Sequence, residues 1–330
     1  MGRTKGEKAI KRAEKKAEME RKRIIREANK MLIPTPKQTI NSLGILSFDP
    51  SGAFRLTGNR WIRVYEIMQT QSKESDLFVE VIKGLKGRVR ITAIIGGESQ
   101  DKTFLTLMME GEIYGDVRKD MEVDQETLSK IFILKPLTVD ETMMAVIGDG
   151  RKPFSYASMV RGKKNWKSEC FPELKEEVGS IKVNDLYGES MSIMQYPFNL
   201  SINPFRSLSD IGCLMYVTLD LKKIIFKQSI TQSLEQRYNR RISAGKSGEY
   251  LNASVLIFFC CDSDDARAII ERTLITRFEN CGFALAPAYG SQEKVVESVI
   301  SLGITDYSVM RNVDINVVSE LTVYGGGLCR

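Results

Sequence analysis

The feature that most constrains the fold is the run Glu249–Cys261, EYLNASVLIFFCC, which is apolar from Ala253 to Cys261 apart from Ser254. That apolar part is about half of what a membrane-spanning helix needs. Its β-branched and aromatic content favours extended chain, so the run reads as a strand. Two amphipathic helices follow, at 264–281 and 291–301, with a short apolar piece at 283–288 between them. The first starts after Asp262 and Ser263, either a good N-cap, and places Asp264 and Asp265 at its positive end. It buries Ile270, Leu274, Phe278 and Cys281 and stops before Gly282, the residue type that suits a left-handed cap.

Working outward, the spans 189–196 and 213–219 read as strands. Phe226, Ile230, Leu234, Tyr238 and Ile242 recur every four residues, predicting a long helix over 221–242. Strand, helix, strand, helix, strand with long amphipathic helices predicts an open α+β sandwich, ferredoxin-like in kind, with helices on one face. Upstream, Trp61–Met68 and 103–110 read as strands, and 73–86 as a helix. Strand 88–95 alternates, predicting Val89, Ile91, Ala93 and Ile95 inward and Arg88, Arg90 and Thr92 outward. Short helices are predicted near 124–133 and 139–147, and 148–187 reads as an excursion or inter-domain segment. The expected fold class is therefore α+β: a basic helical tail (1–35), a strand-rich subdomain (36–187) and a ferredoxin-like subdomain (188–330). Direct reading finds no internal repeat.

The first 30 residues hold twelve Lys/Arg against five Glu, a surplus of seven, whereas the whole chain carries +6. The other 300 residues therefore sum to −1, so the basic character of the chain belongs to its tail. Residues 5–33 read as one helix. Ile10, Ala13, Ala17, Ile24, Ala28 and Met31 form a narrow apolar stripe, and Pro34 and Pro36 stop it. Such a helix is marginal alone and needs something to dock on. Its Lys11, Arg12, Lys15, Lys16, Arg21, Lys22, Arg23 and Arg26 are the candidates for contact with anionic lipid or nucleic-acid phosphate, or with a docking partner. A weaker basic cluster is Arg237, Arg240, Arg241 and Lys246. The stripe lacks Trp and Phe, which argues against deep insertion into a bilayer.

The chain has no histidine, which removes Ser-His-Asp and Cys-His nucleophile systems and His-ligated metals. Its six cysteines form no CxxC pair. With no secretory signal in view, they read as reduced, mostly buried thiols, Cys260 and Cys261 pointing to opposite sheet faces. Two stretches imitate a phosphate-binding loop. Gly96–Thr103 ends in Lys-Thr after a strand, but Asp101 stands where the Gly before the lysine must let the backbone wrap the phosphate. A hairpin turn explains the same residues. Ser243–Ser247 contains Gly-Lys-Ser but has Arg240 where the first Gly belongs. No catalytic, cofactor or metal residue is therefore assigned, and no cofactor is expected in this chain.

The order of features resembles the N-terminal region of the conjugative type IV secretion ATPases, the CagE/TrbE/VirB family. The resemblance is carried by Pro34-Thr35-Pro36, by Thr39–Gly44, by Gly58-Asn59-Arg60-Trp61-Ile62-Arg63-Val64-Tyr65-Glu66-Ile67, and by Ser190–Pro197 ending in Tyr-Pro. Strand 213–219, the basic helix and strand 249–261 follow in the family's order, so the likeness spans about 35–325. It implies an interaction module whose nucleotide site belongs to a motor domain beyond residue 330, on the same or a separate polypeptide. It further implies other secretion subunits as partners, a possible homo-oligomer, and a cytoplasmic place at the inner membrane surface. The alternative is a nucleic-acid-binding protein of a mobile element, working through its basic tail. A third reading, an enzyme using residues 96–103, rests on the degenerate loop.

Overall fold

A computed structural model describes residues 5–147 and 167–323, apart from 36, 38–41, 73, 97–100, 169–170, 178, 198–199, 201, 207 and 224–249. The fold is α+β, with one large antiparallel sheet. Its strands are β1 (Ile33–Pro34), β2 (Ile45–Phe48), β3 (Ala53–Leu56), β4 (Arg60–Thr70), β5 (Arg88–Ile95), β6 (Lys102–Glu110), β7 (Phe132–Pro136), β8 (Leu174–Glu176), β9 (Ile181–Val183), β10 (Leu186–Gln195), β11 (Leu214–Lys223), β12 (Tyr250–Cys261), β13 (Ala284–Pro287) and β14 (Arg311–Asp314). The helices are α1 (Lys5–Ala28), α2 (Ser75–Gly84), α3 (Tyr114–Leu128), α4 (Val139–Ile147), α5 (Asp264–Asn280), α6 (Gln292–Ile300) and α7 (Ile315–Val323).

The sheet runs β1-β2-β3-β4-β6-β5-β11-β12-β10-β9-β8, with β7 beside β4, β13 beside β10 and β14 beside β12. Two units of the same topology lie within it. In β4-α2-β5-β6-α3-β7 the spatial order is β7-β4-β6-β5, the ferredoxin-like arrangement. In β10-β11-β12-α5-β13 the order is β13-β10-β12-β11, again that arrangement. The two units join edge to edge where β5 pairs β11, with Thr92 opposite Thr218 at the centre and the pairs Val89–Leu221 and Ile95–Met215 on either side.

The equivalence extends to single residues. Ile67-Met68-Gln69 carries a β-bulge against β7, and Ile193-Met194-Gln195 carries one against β13. Phe132-Ile-Leu-Lys-Pro136 and Phe283-Ala-Leu-Ala-Pro287 supply the partner strands, and a helix (α4 or α6) follows each. Direct reading misses this repeat because a handful of shared positions is spread over strands far apart in sequence. The units differ between β10 and β11, where the described residues form no helix matching α2 and carry a 3-10 turn at Leu208–Ile211. Instead α7 packs on α2 and β12. Asn203 secures it by donating to the carbonyls of Glu320 (2.9 Å) and Leu321 (3.2 Å).

Helices cover both faces, correcting the expected one. On one face Phe78, Val81 and Ile82 of α2, Leu274 and Phe278 of α5 and Leu321 of α7 meet Val89, Ile91, Val217, Ile257 and Phe259. On the other, Met143 and Val146 of α4 and Val295 and Val299 of α6 meet Ile62, Val64, Leu256 and Phe258. Each fully buried Phe or Leu contributes roughly 1.5–3 kcal/mol by leaving water.

Arg90 and Thr92, expected outward, are thus fully buried, and Arg88 is nearly so. Arg90 grips Asp220 of β11 in a bidentate pair (2.8 and 3.0 Å) and donates to Ser298 of α6 and to the carbonyl of Tyr307 (3.1 Å). Arg88 bridges Asp220 and Asp306. The network sits at the joint between the two units.

Three further expectations change. Helix 124–133 becomes α3 over Tyr114–Leu128, followed by strand β7. The charged surface of α3 hid a stripe of Tyr114, Val117, Met121 and Leu128. The predicted helix 221–242 starts wrongly, since 221–223 complete β11, and the rest lies outside the described residues. The boundary placed after residue 187 falls inside β10, which pairs with β9 on one side and β12 on the other. The hairpin reading of Gly96–Thr103 agrees with β5–β6 pairing, Ile94 opposite Lys102. Ser263 caps α5 by accepting from the amide of Ala266, and Gly282 takes φ +83° beyond it.

Candidate functional site: a basic helix held at one end

Helix α1 is 24 residues long, about 36 Å at 1.5 Å per residue. Lys11, Arg12, Lys15, Lys16, Arg21, Lys22, Arg23 and Arg26 are all exposed on it. So is the stripe that should be covered: Ile10 is 62% exposed, Ile24 52% and Met31 61%. Three charges are balanced along the helix itself or just past it, by Lys22–Glu18 (2.5 Å), Arg23–Glu20 (2.6 Å) and Lys30–Glu27 (2.6 Å). Exposed pairs of this kind contribute less than about 1 kcal/mol each. Among the described residues Lys11, Arg12, Lys15, Lys16 and Arg26 make no ion pair.

Among the described residues the helix is fastened near its C-terminal end. Arg21 reaches Glu112 of the body (2.7 Å). Asn29, just past the helix, donates to the carbonyl of Glu112 (2.9 Å) and accepts from the amide of Tyr114 (3.0 Å). Leu32 then enters a small core with Ala53, Trp61, Met109, Tyr114, Val117 and Met121. Trp61 stacks on Tyr114 with centroids 5.0 Å apart and donates to the carbonyl of Gly111 (2.8 Å). Tyr114 donates to Asp49 (2.7 Å), and burial together with that carboxylate raises its phenol well above the usual range. The chain leaves this anchor as β1, paired with β2. Reading the sequence identifies the basic side chains but misses Asn29, Trp61 and Tyr114. Trp61, one of two tryptophans in the chain, is the one visible signal.

The second basic cluster, Arg237, Arg240, Arg241 and Lys246, lies outside the described residues. Among the described residues no group of three or more Cys, Asp or Glu is arranged to hold a metal ion, and no helix is long and apolar enough to cross a membrane. The acidic start of α5 serves its helix, with Asp264 paired to Arg267 (2.7 Å). Comparison with models of known protein families and with curated proteins finds no match.

Under α5, fully buried Glu189 accepts from Arg267 (2.6 Å), while its other oxygen has no donor. Burial, with Glu271 close by, raises its carboxyl to about 7. Arg267 also pairs with Glu271 and Asp264, so the four charges form one group. A folded value above the ordinary 4.5 means that the native state holds the proton more tightly. This contribution is full below about pH 4.5 and is lost as pH rises through 7. Glu189→Gln, which imitates the protonated form, is therefore expected to stabilise the chain at pH 8 by on the order of 3 kcal/mol and to be neutral at pH 4. Urea titrations at the two pH values check this, and equal effects at both would contradict it.

Proposed function

We propose that this chain is a structural interaction module of a conjugative type IV secretion ATPase. In this reading the two-unit sheet is a rigid platform and α1 is the arm by which it is held to other subunits of the apparatus, at the inner membrane surface. The observation that carries the proposal is the uncovered apolar stripe of a long helix whose base, among the described residues, is where it is anchored. A solubilising tail needs charge but no stripe, and no side-chain anchor such as Asn29. The family resemblance, in its order of strands and the Tyr-Pro ending near residue 197, supplies the identity of the apparatus. The module does no chemistry in this reading, which assigns ATP hydrolysis to a motor domain outside this chain.

A second reading, a nucleic-acid-binding protein of a mobile element, is favoured by the five α1 cations that make no ion pair among the described residues. Salt separates the two. Binding to the cognate secretion subunits should survive a rise from 0.05 to 0.2 M salt, because an apolar stripe contributes. Phosphate contact through about five cations should weaken roughly 10²–10³-fold over the same range. Co-purification with the subunits, beside fluorescence titration with duplex and single-stranded DNA, decides. Deleting residues 1–31 should abolish the subunit interaction while the body stays folded. Tight DNA binding without subunit binding would overturn the proposal.

A further inference from the structure

We propose that Cys213 and Cys261 are a paired thiol site that closes to a disulfide across β11 and β12 on exposure to an oxidising low-molecular-weight disulfide. Leu214 is opposite Cys260 in the β11–β12 register, and Cys213 precedes Leu214 while Cys261 follows Cys260. The next opposed pair is therefore Cys213 and Cys261. Directly opposed residues of antiparallel strands have Cα atoms about 4.5–5.5 Å apart, within the span of about 4.4–6.8 Å that a disulfide bridges. Both side chains lie on one sheet face, against the core that contains Met215, Val217, Ile257 and Phe259. Both are free and partly exposed at the end of their strands, whereas Cys260 faces the opposite core and is buried.

The surroundings fit a site that is reduced at rest. The Cys261 thiol donates to the carbonyl of Ser263 (3.4 Å), which holds it at the surface turn before α5. Burial raises the Cys213 thiol to about 11, with Cys261 nearby adding to the rise, and burial also raises Cys261. The thiolate fractions at neutral pH are small, so exchange is slow and responds to pH and oxidant supply. The chemistry balances with oxidised glutathione as oxidant. The Cys261 thiolate attacks one glutathione sulfur, breaking its S–S bond and releasing one glutathione thiolate. The Cys213 thiolate then attacks Cys261 of the mixed disulfide and displaces the second glutathione. The two thiol protons leave on the two glutathiones, which are reduced as the two cysteines are oxidised. The new bond closes a covalent ring over residues 213–261 and ties β11 to β12 at the end of their ladder away from the 224–249 connection.

The test treats the full chain with oxidised glutathione under native conditions and maps non-reduced tryptic peptides by mass spectrometry. The expected product is an intramolecular Cys213–Cys261 bond. It should form about tenfold faster for each pH unit between 7 and 9 and raise Tm by about 5 °C, because the closed loop restricts the unfolded chain. Cys213→Ser and Cys261→Ser should each abolish bond and Tm rise, and Cys260→Ala should keep both. Glutathione adducts without the internal bond, a bond through Cys260, or no reaction in a chain that remains folded would each overturn the proposal.

Discussion

Asp220→Ala is expected to lower the unfolding free energy by about 3–5 kcal/mol. Asp220 is fully buried and is the shared partner of Arg90, also fully buried, and of Arg88. Removing its carboxylate leaves a guanidinium in the sheet with hydrogen bonds only to Ser298, Tyr307 and the more exposed Asp306. The pair itself need not be stabilising, because desolvating two charges costs about as much as their attraction returns. Arg90→Met with Asp220→Leu should therefore recover most of the loss, Asp306 then keeping its pairs with Arg88 and Arg60. Urea denaturation of the wild type, Arg90→Met, Asp220→Leu and the double variant gives the coupling, which is expected to exceed about 1.5 kcal/mol. A cost below 1 kcal/mol for Asp220→Ala would mean that the two units are not joined through this network.

Trp61→Ala should cost a similar amount, about 3–5 kcal/mol, by opening a cavity where a fully buried indole stacks on Tyr114. It also removes the donor to Gly111 and the surface on which Leu32 rests. The effect should spread to the arm. Amide exchange at residues 29–35, the link between α1 and the sheet, should rise by more than at β11 or β12. Trp61→Phe keeps most of the volume and should cost about half as much, the difference reflecting the lost hydrogen bond and area. Uniform acceleration of exchange across the chain would show that Trp61 supports the body without holding the arm.

Much of the secondary structure was legible because period-two and near-3.6 patterns are local. Strand 88–95 falls where its alternation puts it, and α5 begins at the Ser263 cap and ends before Gly282. The second covering layer was not legible. An alternating strand with Arg88, Arg90 and Thr92 on one side looks half-exposed, and only contact with Asp220, Asp306 and α6, over 100 residues away in sequence, makes those positions interior. The duplication was hidden similarly, since among the described residues no helix between β10 and β11 matches α2 to align the units. At the candidate site, charge and stripe were plain in residues 10–31. The anchor was not, because Asn29 meets Glu112 and Tyr114 only after folding.

The central claim is that α1 is an interface that a partner covers. Hydrogen–deuterium exchange of the full chain, alone and with the secretion subunits proposed as its partners, tests it most directly. The account predicts fast exchange through residues 10–28 in the isolated chain and at least tenfold slower exchange there in the complex, with β11 and β12 unchanged. A stable complex that protects the sheet or the 224–249 connection while leaving residues 10–28 as fast as before would contradict it.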